Sequence, residues 1–430
     1  MKRQRNIWLV KLILPMLVWI TSCELQDNWQ LDVPSFKGNS QLTGTTALSD
    51  NCKYALEGIY LVTNGRSSFG DTVVVKQTRD KLSIFGYQNV SYFILDNGYK
   101  DSQIILEGYW RYAIGNKTGL ARFTINNATD LIQGDTTVTN ITIFGMFGSG
   151  ESTPGDPIEL RLIHKFTPQL RADPFIIGAH RSGGRTSDRL PVSENSVEMI
   201  KYTEYFGSTG IEVDVQLTKD KVPVLYHDDD LNRRLIQKGP VYGKIQDYTF
   251  AQLRTLVKLI HGEDIPSLEE AFDAVLNHTK LTTVWLDIKD AESLQAVVPI
   301  QQKYLKLAAK AGRKLDIWVG IPSDDVYNAF VSLSGYPDIP SLCELSADKV
   351  AAVNARAWSF RWTQGLMEQD VENMHSQGRK CLVWTLDVPE FMEIYATHGG
   401  TDASKRFDGI LTNYPSLLAY YHYVRHNKQN

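Results

Sequence analysis

Gly210-Ile-Glu-Val-Asp-Val-Gln-Leu is the stretch where residue type and spacing first suggest chemistry. It reads as a strand, so Glu212 and Asp214, two residues apart, point to the same face. Neighbouring carboxylates repel and lose hydration, so a strand has no structural reason to bury them unpaired. A divalent cation is the simplest partner, because hard cations take clustered carboxylate oxygens. After a turn at Lys219-Asp220-Lys221, a second strand over residues 222–226 ends in His227-Asp228. It delivers an imidazole to a strand end, where α/β sheets and barrels hold their sites. The competing reading is a solvent-facing acidic strand edge with a capping histidine.

An upstream stretch weighs against that reading. Phe175-Ile-Ile-Gly-Ala-His180-Arg181 is an apolar strand ending in His-Arg, followed by Ser182-Gly183-Gly184 and then Ser193-Glu194-Asn195-Ser196 at a helix start. The order His-Arg, Glu-Asn, Glu-x-Asp, His-Asp resembles the glycerophosphodiester phosphodiesterase family, whose pattern is His-Arg-Gly, Glu-Asn-Thr, Glu-x-Asp and His-Asp. The resemblance runs over residues 175–421. It implies a hydrolase that releases glycerol 3-phosphate and an alcohol from a small phosphodiester.

Residue types supply the same chemistry. A phosphodiester is anionic, so hydrolysis needs charge neutralisation on the phosphoryl oxygens, a base for the nucleophile and an acid for the leaving alkoxide. A divalent metal ion held by Glu212, Asp214 and a third carboxylate meets the first need. Asp287, ending the strand Thr283-Val-Trp-Leu-Asp-Ile, is the expected third ligand. Oxygen-only ligation fits Ca2+ or Mg2+ and disfavours zinc. Arg181 offers a planar fork to phosphate oxygens, and Lys289 adds a point charge on the face of Asp287. His180 and His227 are the acid/base pair. The resemblance implies the same roles for His180, Arg181, Glu212, Asp214, His227 and the Asp287 position. Trp384 is expected at the substrate side of the mouth. Asn195, with Glu198 three residues on, fits a helix cap, and Glu194-Asn195 is read that way.

Four positions depart from the family pattern. Ser182 replaces the glycine after His-Arg, Ser193 stands for proline, Asp287 for glutamate and Asn413 for the aspartate of the last strand. An Asp-x-Lys in the third-ligand strand also occurs in the sphingomyelinase D branch. Two alternatives therefore stay open: a phospholipase D-like lyase giving a cyclic phosphate, and a non-catalytic surface protein binding glycans or lipids.

These residues need a scaffold of two parts. A chain of 430 residues exceeds one typical core. A hydrophobic share of 43% and a charged share of 22% are ordinary for globular proteins, and a net charge of −4 leaves no basic footprint for nucleic acid. Four cysteines do not make a disulfide scaffold. Residues 1–22 carry Lys2, Arg3 and Arg5 ahead of an apolar run broken by Lys11 and Pro15, an export signal rather than a span. The run ends at Thr21-Ser22-Cys23, similar to a bacterial lipobox, which implies lipidation of Cys23 and a membrane-anchored lipoprotein of the cell envelope. An ordinary signal peptide with a chance cysteine is the alternative.

Residues 23–45 read as a polar tether. Residues 46–165 carry eight short β patterns with turn signals at Asn64-Gly65, Asn97-Gly98, Gly115-Asn116 and Gln133-Gly134-Asp135, the mark of an all-β sandwich or barrel domain. Its tyrosines and Trp110 read as core filling, with a sugar or lipid pocket as the alternative. Residues 172–425 alternate strand and helix over the length of one (β/α)8 TIM barrel. The eight expected strands include 222–226, and the pattern at 355–362 is expected as an extended loop after the sixth.

Overall fold

The computed structural model describes residues 33–115 and 117–425; the expected leader and Cys23 lie outside the described residues. Eight strands rich in β-branched and aromatic residues form the first barrel: β1 (Gly58–Asn64), β2 (Thr72–Thr78), β3 (Lys81–Gly86), β4 (Ser91–Lys100), β5 (Gln103–Tyr112), β6 (Thr118–Ile125), β7 (Thr142–Phe147) and β8 (Asp156–His164). Each pairs antiparallel with the next and β8 returns to β1, so closure leaves no strand edge. The expected turn at Asn97-Gly98 does not form. Both residues lie inside β4, and the chain reverses at Asp101-Ser102 instead. Gly98 serves close packing, since a Cβ there would collide with Thr45.

The interior of this barrel is aromatic and full. The Trp110 ring lies 4.9 Å from Tyr112 and 5.6 Å from Phe69, and its Nε1 donates to Gly148 O at 2.8 Å. Truncating it to alanine costs about 3–5 kcal/mol on the usual scale for core aromatics. The polar stretch before the barrel is pinned along it: Ser40 Oγ and Gln41 N donate to the buried Glu107 carboxylate at 2.6 and 3.0 Å.

The second barrel has eight parallel strands: β9 (Ile176–Ala179), β10 (Gly210–Leu217), β12 (Thr283–Ile288), β13 (Asp316–Ile321), β14 (Ser341–Cys343), β15 (Ala357–Arg361), β16 (Lys380–Trp384) and β17 (Gly409–Thr412), closed by pairing of β9 with both β17 and β10. The expected count of eight staves holds, but the remaining strand, β11 (Pro223–Leu225), is not one of them. It hairpins back antiparallel onto β10, because a turn as short as Lys219-Asp220-Lys221 cannot make a parallel crossover, which takes a dozen or more residues. The sixth barrel place belongs to β15, the stretch expected as a loop. Several helices between strands start on side-chain caps. Ser267 accepts from Glu270 N at 3.2 Å while the Glu270 carboxylate accepts from Ser267 N at 2.8 Å, opening Leu268–His278.

The first barrel has its own interior core, and its outward-facing residues join the apolar core of the second. Ile59, Val74, Phe85, Tyr92 and Ile94 of the first pack in the same cluster as Tyr205, Phe206 and Leu417 of the second. Polar ties join them as well: Tyr109 OH to Tyr202 OH at 2.6 Å, Ser83 Oγ to Tyr205 O at 2.8 Å and Tyr205 OH to Asp80 at 2.7 Å.

Candidate active site

Strand alternation brings the carboxylates inward. Glu212 and Asp214 leave β10 on its inner face and are almost fully buried, above a floor of Ile176, Trp285, Trp318 and Leu382 that fills the barrel. On the adjacent parallel strand, Asp287 is the register partner of Asp214. One carboxylate oxygen from each of Glu212, Asp214 and Asp287 lies within 4.8 Å of the others. Lys289, two residues past Asp287, returns over the rim and sets its ammonium 2.7 Å from Asp214 Oδ1 and 2.6 Å from Asp287 Oδ2.

One ammonium does not balance three clustered acids, two of them buried and Asp287 half-buried, and the electrostatics say so. Burial, then the Asp214 and Asp287 charges, push Glu212 well above the usual carboxylate range. Burial also acts on Asp214, yet Lys289 and the two imidazoles outweigh it and hold this acid at about 2. Asp287 is raised, by burial first and by Asp214 next. Glu212 Oε2 accepts from Arg181 N at 2.7 Å, but its Oε1 is buried with no hydrogen-bond partner among the described residues. An orphaned oxygen within an all-oxygen acidic cluster fits a hard divalent cation.

The imidazoles reach this cluster from two strand ends. His180 follows β9, and its Nε2 lies 3.9 Å from Glu212 Oε2. Its Nδ1 is 2.8 Å from Asn413 Oδ1, at the end of β17. Burial, then the Arg181 charge, lowers its pKa to about 4. His227 follows β11, with Nδ1 2.7 Å from Asp228 Oδ1 and Nε2 2.7 Å from Arg181 Nη2. Since guanidinium only donates, Nε2 accepts there and Nδ1 carries the hydrogen.

Arg181 and Ser182 both take positive φ, 51° and 64°, in the tight turn that swings the guanidinium across the mouth. The guanidinium is held by Glu194, whose Oε1 accepts from Nη1 at 2.9 Å, while Arg181 Nε is buried without a partner among the described residues. Here the sequence reading of Glu194-Asn195 needs correction. The cap of helix Val197–Tyr202 is Ser196, which accepts from Met199 N at 2.9 Å. Glu194 instead accepts from Arg181 and from Arg234 Nη1 at 3.1 Å, and Asn195 Nδ2 donates to Asp214 at 2.6 Å. A polar pair ahead of a helix looks the same in either role.

The structure thus unites Glu212, Asp214, Asp287, Lys289, His180, His227 and Arg181 at the C-terminal end of one barrel. Trp384 stands farther round the rim, with the Arg361 guanidinium 4.8 Å above its ring. Motif spacing did not reveal Arg234, Asp387 or Glu344. Arg234 braces Asp228. Asp387 follows β16 and bonds Asn413. Glu344 follows β14, and its carboxyl is pushed to about 8 by burial first and by Asp287 next. An acid just past the apolar run Ser341-Leu-Cys is the one local signal for Glu344.

Comparison with known proteins adds four findings. A model of the glycerophosphoryl diester phosphodiesterase family matches residues 180–417. The chain is similar to probable glycerophosphodiester phosphodiesterase 2 of Mycobacterium tuberculosis, 32% identical over 58% of this chain and 91% of the relative. It is also 27% identical to glycerophosphodiester phosphodiesterase 1 of Homo sapiens over 43% of this chain and 50% of that protein, so it spans about half the length of such curated relatives. A crystal structure of a glycerophosphodiester phosphodiesterase from Parabacteroides distasonis aligns over 59% of this chain and 98% of its own, with 22% identity and a TM-score of 0.44.

Proposed function

The chain belongs to the glycerophosphoryl diester phosphodiesterase family, and from that premise we propose that it hydrolyses glycerophosphodiesters to glycerol 3-phosphate and an alcohol. The observation that carries the reading is the convergence of two imidazoles, one guanidinium and three carboxylates at one barrel mouth. Glu212, Asp214 and Asp287 are the residues to hold a divalent ion, Ca2+ or Mg2+. When bound, that ion supplies positive charge against the phosphoryl oxygens.

The chain's own groups do the rest. Arg181 is the guanidinium to bind a phosphoryl oxygen: its Nε has no partner among the described residues, and Glu194 holds its fork in place. Lys289 adds a second cation on the same rim. His180 is neutral with its lone pair on Nε2, which suits it to take the proton of the attacking hydroxyl or water. His227 is fixed at Nδ1 by the Asp228 carboxylate, and its Nε2, which accepts from Arg181 here, is the atom to pass a proton to the leaving alkoxide once it has taken one up. We further propose that a lipid on Cys23 anchors the protein in the cell envelope, on the strength of the apolar run and the small residues before that cysteine.

The test is direct. Purified protein should release glycerol 3-phosphate from glycerophosphocholine or glycerophosphoglycerol, with chelation, His180→Ala and His227→Ala each abolishing release. Activity that survives all three rejects the mechanism. A cyclic phosphate as end product from intact phospholipid identifies the lyase, and no turnover with ligand held by the first barrel identifies a binding protein. Cys23→Ser should shift the protein from the membrane to the soluble fraction, and an unchanged distribution rejects the anchor.

A further inference from the structure

The two imidazoles share one tautomer but reach it by different means. His227 meets a carboxylate directly. His180 meets the neutral carboxamide of Asn413. An amide can present either end, so Asn413 alone does not decide which nitrogen of His180 carries hydrogen. What decides it lies one residue deeper.

Asp387 grips Asn413 from behind. Its Oδ2 accepts from Asn413 Nδ2 at 2.6 Å, its Oδ1 accepts from Asn413 N at 2.8 Å, and Thr412 Oγ1 donates to the same Oδ1 at 3.1 Å. A carboxylate only accepts, so the amide nitrogen must face Asp387 and the amide oxygen must face the ring. That oxygen also only accepts, so His180 Nδ1 must be the protonated nitrogen. In the neutral ring the lone pair then sits on Nε2, on the Glu212 side.

We propose that Asp387 is a positioning residue that sets the tautomer of His180 through the amide of Asn413, keeping the lone pair of Nε2 turned into the site. The role rests on the reading of His180 as proton acceptor given above. Without a carboxylate at position 387 the amide is free to flip, its NH2 then faces Nδ1, and the ring turns to the Nε2–H form, which cannot accept a proton inside the site. In catalytic dyads of this kind the wrong tautomer lowers turnover with the geometry intact.

Long-range 1H–15N spectra of histidine-labelled protein at fixed neutral pH read the tautomer directly, with His180→Gln assigning the resonance. Wild type should show Nδ1–H at His180. Asp387→Asn should show Nε2–H or a mixture, with kcat down about ten- to a hundredfold, the usual scale for lost outer partners, and KM little changed. The exchanged pair Asp387→Asn with Asn413→Asp restores a carboxylate acceptor for the ring and a donor behind it. It should recover Nδ1–H and bring kcat to within a few-fold of wild type. Nε2–H in the wild type overturns the proposal without any variant. So does a tautomer unmoved by Asp387→Asn, or an exchanged pair no better than the single change. If the spectra behave as expected while wild type cleaves no glycerophosphodiester, the positioning role stands and the enzymatic reading fails.

Discussion

Asp214 and Asp287 face each other across neighbouring parallel strands, and the ammonium of Lys289 bridges them at 2.7 and 2.6 Å. Backbone register dictates the meeting, so the acids cannot separate to relieve their repulsion. The lysine is thus part of the fold's stability as well as of the rim's charge.

Lys289→Met should therefore destabilise the cation-free protein by about 3–5 kcal/mol, the usual cost of leaving a buried charge without its partner. Millimolar Ca2+ or Mg2+ should recover most of that loss, by binding the folded state alone. Urea unfolding with and without the ion checks it. A variant as stable as wild type in chelator, and indifferent to the ion, contradicts the arrangement.

Ser182 bears a second expectation. Its φ of 64° lies in the left-handed region, and its Oγ is buried without a hydrogen-bond partner among the described residues. Ser182→Gly removes both the strain and the unsatisfied hydroxyl, against a larger backbone entropy in the unfolded chain. Thermal unfolding should show stability unchanged or raised by up to about 1 kcal/mol. A clear loss means that the hydroxyl serves a purpose in the turn.

Stability should also depend on pH through a histidine away from the mouth. His375 Nε2 lies 2.8 Å from Asp408 Oδ2, a contact that raises its pKa, helped by Ser404 O at 2.7 Å from Nδ1. A raised folded-state value favours the folded form fully below the unfolded value of about 6.5 and loses that contribution as pH climbs through the folded value. The stability advantage of wild type over His375→Gln should shrink as pH rises from about 6.5. An advantage that grows with pH reverses the assignment.

The shared core sets a limit on dissection. Tyr205 and Phe206 pack against Phe85, Tyr92 and their neighbours from the first barrel. Expressing residues 166–430 alone uncovers this apolar surface, and the fragment should aggregate or melt well below the full chain. A monomeric fragment of wild-type stability shows the barrels to be independent.

Much of this was legible in the residues. The alternation that turns Glu212 and Asp214 to one face is local, and so is the placing of His180, His227 and Asp287 at strand ends. The first barrel's eight strands stood out because each is a short β-branched run between turns. Other features were ambiguous. Asn97-Gly98 has turn chemistry, yet Gly98 answers the close approach of Thr45, more than fifty residues earlier. Residues 222–226 and 355–362 look alike as strands, and only pairing shows that the first is a hairpin arm and the second a barrel stave.

Residue order alone determined the reactive types, their faces along each strand and the kind of scaffold able to gather them. Tertiary closure decided which side chains stand behind others: Glu194 behind Arg181, Asn195 beside Asp214, Asp387 behind Asn413. The physical reason is range. Periodicity acts over a few residues, whereas β16 pairs with β17 across an intervening helix and β17 meets β9 only when the barrel shuts, and hydrogen bonds between such strand ends are specified by register that no single stretch contains.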